Sequence, residues 1–108
     1  MNRDIAEKWI ADLRANPPQA KGALFDGKGY CCLGRLCVLA GLEPEHVPDS
    51  ICYKFLGHSE WLPPKVSDWA GMKGQGGRYP GGVLADHNDS GKTFAEIADI
   101  IESHIDEL

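Results

Sequence analysis

The 108-residue chain contains no run of about 18 or more apolar residues, so no segment is expected to span a bilayer. Its start, Met1-Asn2-Arg3-Asp4, leads into charged amphipathic sequence. It has neither the apolar stretch nor the small-residue cleavage site of a secretory signal, and a cytoplasmic location is expected. Internal repeats, low-complexity tracts and long linkers are also missing. The length leaves room for one core, hence a single domain over residues 1–108. Cationic residues are in deficit: Lys and Arg number 11 against 16 Asp and Glu, for a net charge of −5. Duplex nucleic acid is held largely through phosphate neutralisation by Lys and Arg. The deficit therefore argues against nucleic acid as a partner and favours a small ligand or a basic surface on another protein.

What is present is ordinary globular material, with 43% hydrophobic and 25% charged residues, enough to form a modest core. Residues 3–16 predict a helix, with Ile5, Trp9, Ile10 and Leu13 on one stripe and Pro17-Pro18 ending it. Residues 21–32 predict a β-hairpin about Asp26-Gly27, a pair suited to a type I′ turn. Leu33, Leu36, Cys37 and Ala40 then recur at helical spacing over 32–40, before Gly41. A second hairpin is expected from 51–56 and 59–62 about Gly57-His58. A short helix follows over 64–70, with Val66 and Trp69 as its apolar contacts. Residues 71–82 hold many glycines and predict a loop. Thr93 and Glu96 form a capping box, and the helix behind it buries Phe94, Ile97, Ala98, Ile101, Ile105 and Leu108. The predicted fold is α+β: a small antiparallel sheet of two hairpins packed with an N-terminal helix, a central Cys-containing helix and a C-terminal helix.

Four segments hold residues that could carry chemistry. Cys31 and Cys32 sit where the chain enters a helix, a position that lowers a thiol pKa, but no protease signature surrounds them, and packing explains small buried thiols without catalysis. In a reducing compartment Cys31, Cys32, Cys37 and Cys52 are expected to be free. For metal, Cys32 and Cys37 lie within a predicted helix rather than in a zinc knuckle, and His46, His58, His87 and His104 are scattered. Asp86 and Asp89 alone make a weak cation site. Neither a metal nor a cofactor is therefore expected. The third segment, the glycine-rich loop, carries Lys73, Arg78 and Tyr79. Its backbone N–H groups and two cations suit an anion and its ring suits a base, yet a Walker or dinucleotide-fold pattern is lacking and a plain connector explains the same composition. Last, in Leu84–Lys92, the polar residues Asn88, Asp89 and Ser90 lie just before the capped helix. They suit a ligand there as well as ordinary turn chemistry.

Three motifs in order carry a resemblance. Tyr30-Cys31-Cys32-Leu33-Gly34-Arg35-Leu36-Cys37 is similar to Y-C-C-L-G-x-L-C. Leu62-Pro63-Pro64 through Trp69-Ala70-Gly71 is similar to L-P-x-x-V-x-x-W-A-G. Leu84-Ala85-Asp86, Asn88-Asp89-Ser90-Gly91 and Phe94 to Ala98 resemble L-A-x-L-N-D-x-G-x-x-F-x-x-I-A. Together, from Lys21 to Glu102, they resemble an uncharacterised family of small proteins of bacteriophages, prophages and some bacteria. The resemblance implies a setting, action on host defence or host regulation, more than a chemistry. His87 stands where that family has an apolar residue, and residues 73–82 are an insertion.

These features predict a non-catalytic binder of a small anionic ligand, such as a phage protein that sequesters a nucleotide immune signal, with Lys73, Arg78, Tyr79, Asn88, Asp89 and Lys92 as its ligand-binding residues. A deep pocket in so short a chain calls for a homo-oligomer. The runner-up is an interaction inhibitor or adaptor acting on a host protein through the acidic C-terminal helix, with Asp99, Glu102, Asp106 and Glu107. A thiol- or metal-dependent enzyme ranks last.

Overall fold

Asn2 opens the first helix: its Oδ1 accepts the Ile5 N–H at 3.0 Å, satisfying one of the orphan donors of a helix N-terminus. The computed structural model describes all 108 residues. In chain order the elements are α1 (Arg3–Arg14), α2 (Cys32–Leu39), β1 (Glu45–His46), β2 (Tyr53–Lys54), α3 (Pro64–Ala70), β3 (Arg78–Tyr79), β4 (Gly82–Val83), α4 (Leu84–Asp89) and α5 (Phe94–Ser103), followed by a 3₁₀ turn over Ile105–Glu107. The architecture is α+β, with two antiparallel two-stranded sheets, β1 with β2 and β3 with β4. No helix is long and apolar enough to cross a membrane.

The core is one cluster of 22 buried residues, built where α1 lies along α5 and α2. Trp9 is fully buried, and its Nε1 donates to the Cys32 carbonyl at 2.8 Å, which gives the indole its polar partner inside an apolar site. Arg35 grips Asp12 bidentately at 2.8 and 2.7 Å, fixing α2 against α1. Gly34 packs directly on the Leu24 backbone carbonyl, with no room for a Cβ. Thr93 and Glu96 close the expected capping box on α5.

The sheets form elsewhere than the sequence predicts. Residues 21–32 make no ladder. Asp26 Oδ1 accepts the N–H groups of both Lys28 and Gly29 at 2.8 Å, and a side chain that takes the local donors competes with strand pairing. Asp26 keeps a negative φ, so the turn is not type I′, and only isolated bridges, Gln19 to Tyr30 and Phe25 to Tyr30, remain. The second hairpin shrinks to one bridge between Phe55 and His58. Its turn falls one residue early, at Leu56-Gly57, with φ of 48° and 84°, the left-handed pair of a type I′ turn. Beyond it Ser59 turns away to accept the Leu24 N–H, and Tyr53–Lys54 pairs backwards with Glu45–His46 instead. Part of the predicted loop, at Arg78–Tyr79, becomes a strand and pairs with Gly82–Val83. Residues 84–89, read as turn chemistry, are helix α4. Trp69 is not a core contact of α3; it is exposed, whereas Val66 is buried. The last predicted helix breaks at His104, although Ile105 and Leu108 are still buried.

Candidate functional site

Helix α4 separates two environments. On its inner side Asn88 is fully buried, and all of its amide polarity is used within the fold. Its Oδ1 accepts the Cys32 N–H at 3.2 Å and Gln19 Nε2 at 3.0 Å, and its Nδ2 donates to the Ala20 carbonyl at 2.7 Å. Asn88 thus fastens the N-terminus of α2 and the segment at 19–20 to α4. On its outer side Asp86 is exposed and forms no ion pair or side-chain hydrogen bond. It faces a cleft of about 570 Å³ lined by Trp61, Lys73, Gln75, Arg78, Tyr79 and Glu107, among others.

The glycine-rich segment builds one wall of this cleft. The Gly77 and Gly76 carbonyls accept the first two N–H groups of α4, from Leu84 at 3.0 Å and Ala85 at 3.2 Å. They replace the side-chain cap that α4 lacks. Gln75 is tied to Leu62 twice, its carbonyl accepting the Leu62 N–H at 3.0 Å and its Nε2 donating to the Leu62 carbonyl at 2.8 Å. That pairing brings Trp61 against Gly76, where a Cβ would strike the indole. The Lys73 N–H donates to the carbonyl of Leu108 at 2.6 Å, so the end of the chain anchors the start of the wall. The segment is therefore held at both ends, with its carbonyls engaged.

Tyr79 is wedged between two histidines. Its hydroxyl lies 2.6 Å from His87 Nε2 and its ring 4.6 Å from that of His104, which bonds in turn to Glu107. The two cations of the cleft are free of ion pairs: Lys73 Nζ reaches only the Asp106 carbonyl at 3.3 Å, and the Arg78 guanidinium has no partner. With Asp86 and Glu107 on the same walls, the cleft offers both donors for an anion and acceptors for hydroxyl or amino groups.

Of the six residues singled out from the sequence, Lys73, Arg78 and Tyr79 come together here. Asn88 is a buried brace. Asp89 Oδ1 accepts the Gly22 N–H at 2.8 Å and borders a separate, smaller depression. Lys92 lines neither; its carbonyl accepts from Gln19 Nε2 at 2.9 Å. The sequence reading missed Trp61. Alternation would turn it outward from buried Leu62, and an outward Trp two residues before Pro63-Pro64 is a signal that could have found it.

The three buried cysteines are not activated thiols. Burial pushes Cys31 up to about 11, Cys37 up to about 12 and Cys32 well above its ordinary value. At Cys31 this outweighs the lowering effect of the Gly34 N–H that its sulfur accepts. Cys52 is free and exposed. No three His, Cys, Asp or Glu side chains converge as a metal-ligand set.

Residues 1–105 match a domain of unknown function, DUF8296, and the chain belongs to that family. No curated protein and no solved structure matches the chain.

Proposed function

Starting from membership of a family whose function is unknown, we propose that this protein is a non-catalytic binder of a small anionic ligand of the nucleotide class. The cleft beside Trp61 carries the proposal: two cations without ion pairs, Lys73 and Arg78, converge with two aromatic rings around about 570 Å³, within the ordinary range of small-molecule sites. In this arrangement Lys73 and Arg78 take the phosphate. Trp61, 47% exposed, stacks on the base, and Asp86 accepts from a ribose hydroxyl or an exocyclic amine. Tyr79 serves as a wall, oriented by His87 and His104. Asn88, Asp89 and Lys92 take no part in contacting the ligand. Sequestration needs tight binding and no nucleophile, which agrees with thiols held protonated by burial. A phage protein that removes a nucleotide immune signal in the host cytoplasm would act in this way, and a homo-oligomer closing over the open side of the cleft would bury more of the ligand.

The test is a panel of linear and cyclic nucleotides in thermal-shift and calorimetric titrations. A ligand at about a hundredfold excess over its Kd is expected to raise Tm by on the order of 10 °C, and Arg78→Ala is expected to weaken binding by about tenfold or more through loss of a charge-assisted contact. A panel that leaves Tm unmoved at millimolar ligand removes the nucleotide proposal.

A further inference from the structure

A second recess adjoins the cleft and has the opposite character. A depression beside Asp86 and Trp61 continues past Ala23 and Glu60 to Asp89. It shares Gly22, Ala23 and Glu60 with a third depression, lined by Phe25, Asp26, Ile51 and Tyr53. The first abuts the cleft along Trp61 and Asp86, and the two depressions abut along their own shared wall to make a groove. Its carboxylates are Asp26, Glu60, Asp86 and Asp89, none of them in an ion pair, and no Lys or Arg lines it. Its apolar end is unusually open: Ile51 is 91% exposed, beside a fixed aromatic floor where the Phe25 ring lies 4.5 Å from Tyr30 and 4.8 Å from Tyr53. An apolar side chain left this bare beside aromatic rings, with the carboxylates of Glu60, Asp86 and Asp89 outside any ion pair along one edge, marks a surface for a complementary partner.

We infer that this groove is the docking surface for an extended, basic and apolar segment of a partner protein, with the apolar side chains seated on Phe25, Ile51 and Tyr53 and the cationic ones along Glu60, Asp86 and Asp89. Charge selects this occupant over the others. A nucleotide phosphate would face four carboxylates. A second copy of this chain would bring another net −5 towards them. The inference does not rest on nucleotide binding, since the two recesses share only Trp61 and Asp86.

The probe is a fluorescein-labelled decapeptide of alternating arginine and leucine, with an alternating glutamate and leucine decapeptide as its counterpart. Binding is read by fluorescence polarisation at physiological salt and mapped by amide chemical-shift changes on the full chain. Saturable binding of the basic peptide alone is expected, with shifts at Ala23, Phe25, Tyr53 and Glu60. Two variants at exposed positions, Glu60→Lys and Ile51→Ser, are each expected to lose about tenfold in affinity. Glu7→Lys, the same charge change on α1 outside the groove, is expected to leave affinity unchanged. No binding at millimolar peptide, shifts confined to another acidic face such as that of Asp99 and Glu102, or equal loss from Glu7→Lys would each overturn the inference. So would a dimer in sedimentation that Ile51→Ser dissociates, because the groove would then belong to a second copy.

Discussion

The two sides of α4 are held by different physics. On the inner side, Asn88, Trp9 and Gly34 lie in an interior where each buried side-chain N or O has a hydrogen-bond partner and Gly34 meets the Leu24 backbone directly. Substitution there leaves an unpaired group or a clash with nowhere to relax. On the outer side, the wall from Lys73 to Val83 is held by backbone hydrogen bonds at its ends and by two short strands, while the cationic side chains of Lys73 and Arg78 stand exposed. The inner side specifies the fold. The outer side is free to carry charges with no structural task, and charges of that kind are available to a ligand.

The largest expected effect tests this division directly. Asn88→Ala removes the acceptor for Cys32 N–H and Gln19 Nε2 and the donor to the Ala20 carbonyl. With buried groups left unpaired, urea unfolding is expected to show a loss of about 3–5 kcal/mol. If the loss is below about 1 kcal/mol, Asn88 is not the brace and the contrast between the two sides fails. Gly34→Ala comes next. A Cβ there meets the Leu24 backbone carbonyl rather than a movable side chain, so a loss of about 2–3 kcal/mol is expected by the same measurement. Gly74, where nothing lies within contact of an added Cβ, is the control on the outer side, and Gly74→Ala should leave the midpoint nearly unchanged.

The thiols sharpen the comparison through pH. Burial raises Cys31 from the ordinary 9.0 to about 11 and Cys37 to about 12. Above pH 9 the unfolded chain therefore releases protons that the folded chain keeps. The contribution is fully present below pH 9, and it is lost as pH rises through about 11 for Cys31 and about 12 for Cys37. For Cys31 the loss is on the order of 3 kcal/mol at the alkaline limit. Stability measured from pH 8 to 11 should fall, and replacing Cys31 by Ala should flatten that fall. At pH 8 a disulfide exchange reagent should titrate Cys52 alone in the native chain and all four cysteines in denaturant. Prompt reaction of Cys32 or Cys37, both fully buried, in the native state would mean that the inner side opens.

The same division decides how much was legible in the sequence. Most helices were, because their signals are local: the α1 stripe, the periodicity over 32–40 and the Thr93–Glu96 box each lie within a few turns, whereas α4, only six residues long and without a side-chain cap, was not. The sheets were not, because pairing is settled by competitors distant in sequence. Asp26 diverts the donors of the first hairpin, and the Ser59 carbonyl is taken by Leu24 N–H. In the cleft, the Gly-rich composition pointed to Lys73, Arg78 and Tyr79. Asn88 and Asp86 were inseparable in the sequence, since both are polar and two residues apart, and only the rotation of α4 assigns one to the core and the other to the cleft.

The smallest expected effect on stability belongs to Arg78, and its smallness is what matters. The side chain is exposed and unpaired and lies on a two-residue strand whose backbone alone pairs with Val83. Arg78→Ala should therefore change unfolding free energy by less than about 0.5 kcal/mol, as for surface positions without a structural partner. A structural cation would show the reverse, a stability loss with no change in ligand affinity. A ligand-binding cation shows an unchanged midpoint in the apo protein and a diminished Tm rise when nucleotide is added. Measuring both quantities on this one variant separates the two roles. If Arg78→Ala costs as much stability as the loss of a buried partner, the outer wall is part of the scaffold, and its charges are not available to a ligand in the way the cleft geometry implies.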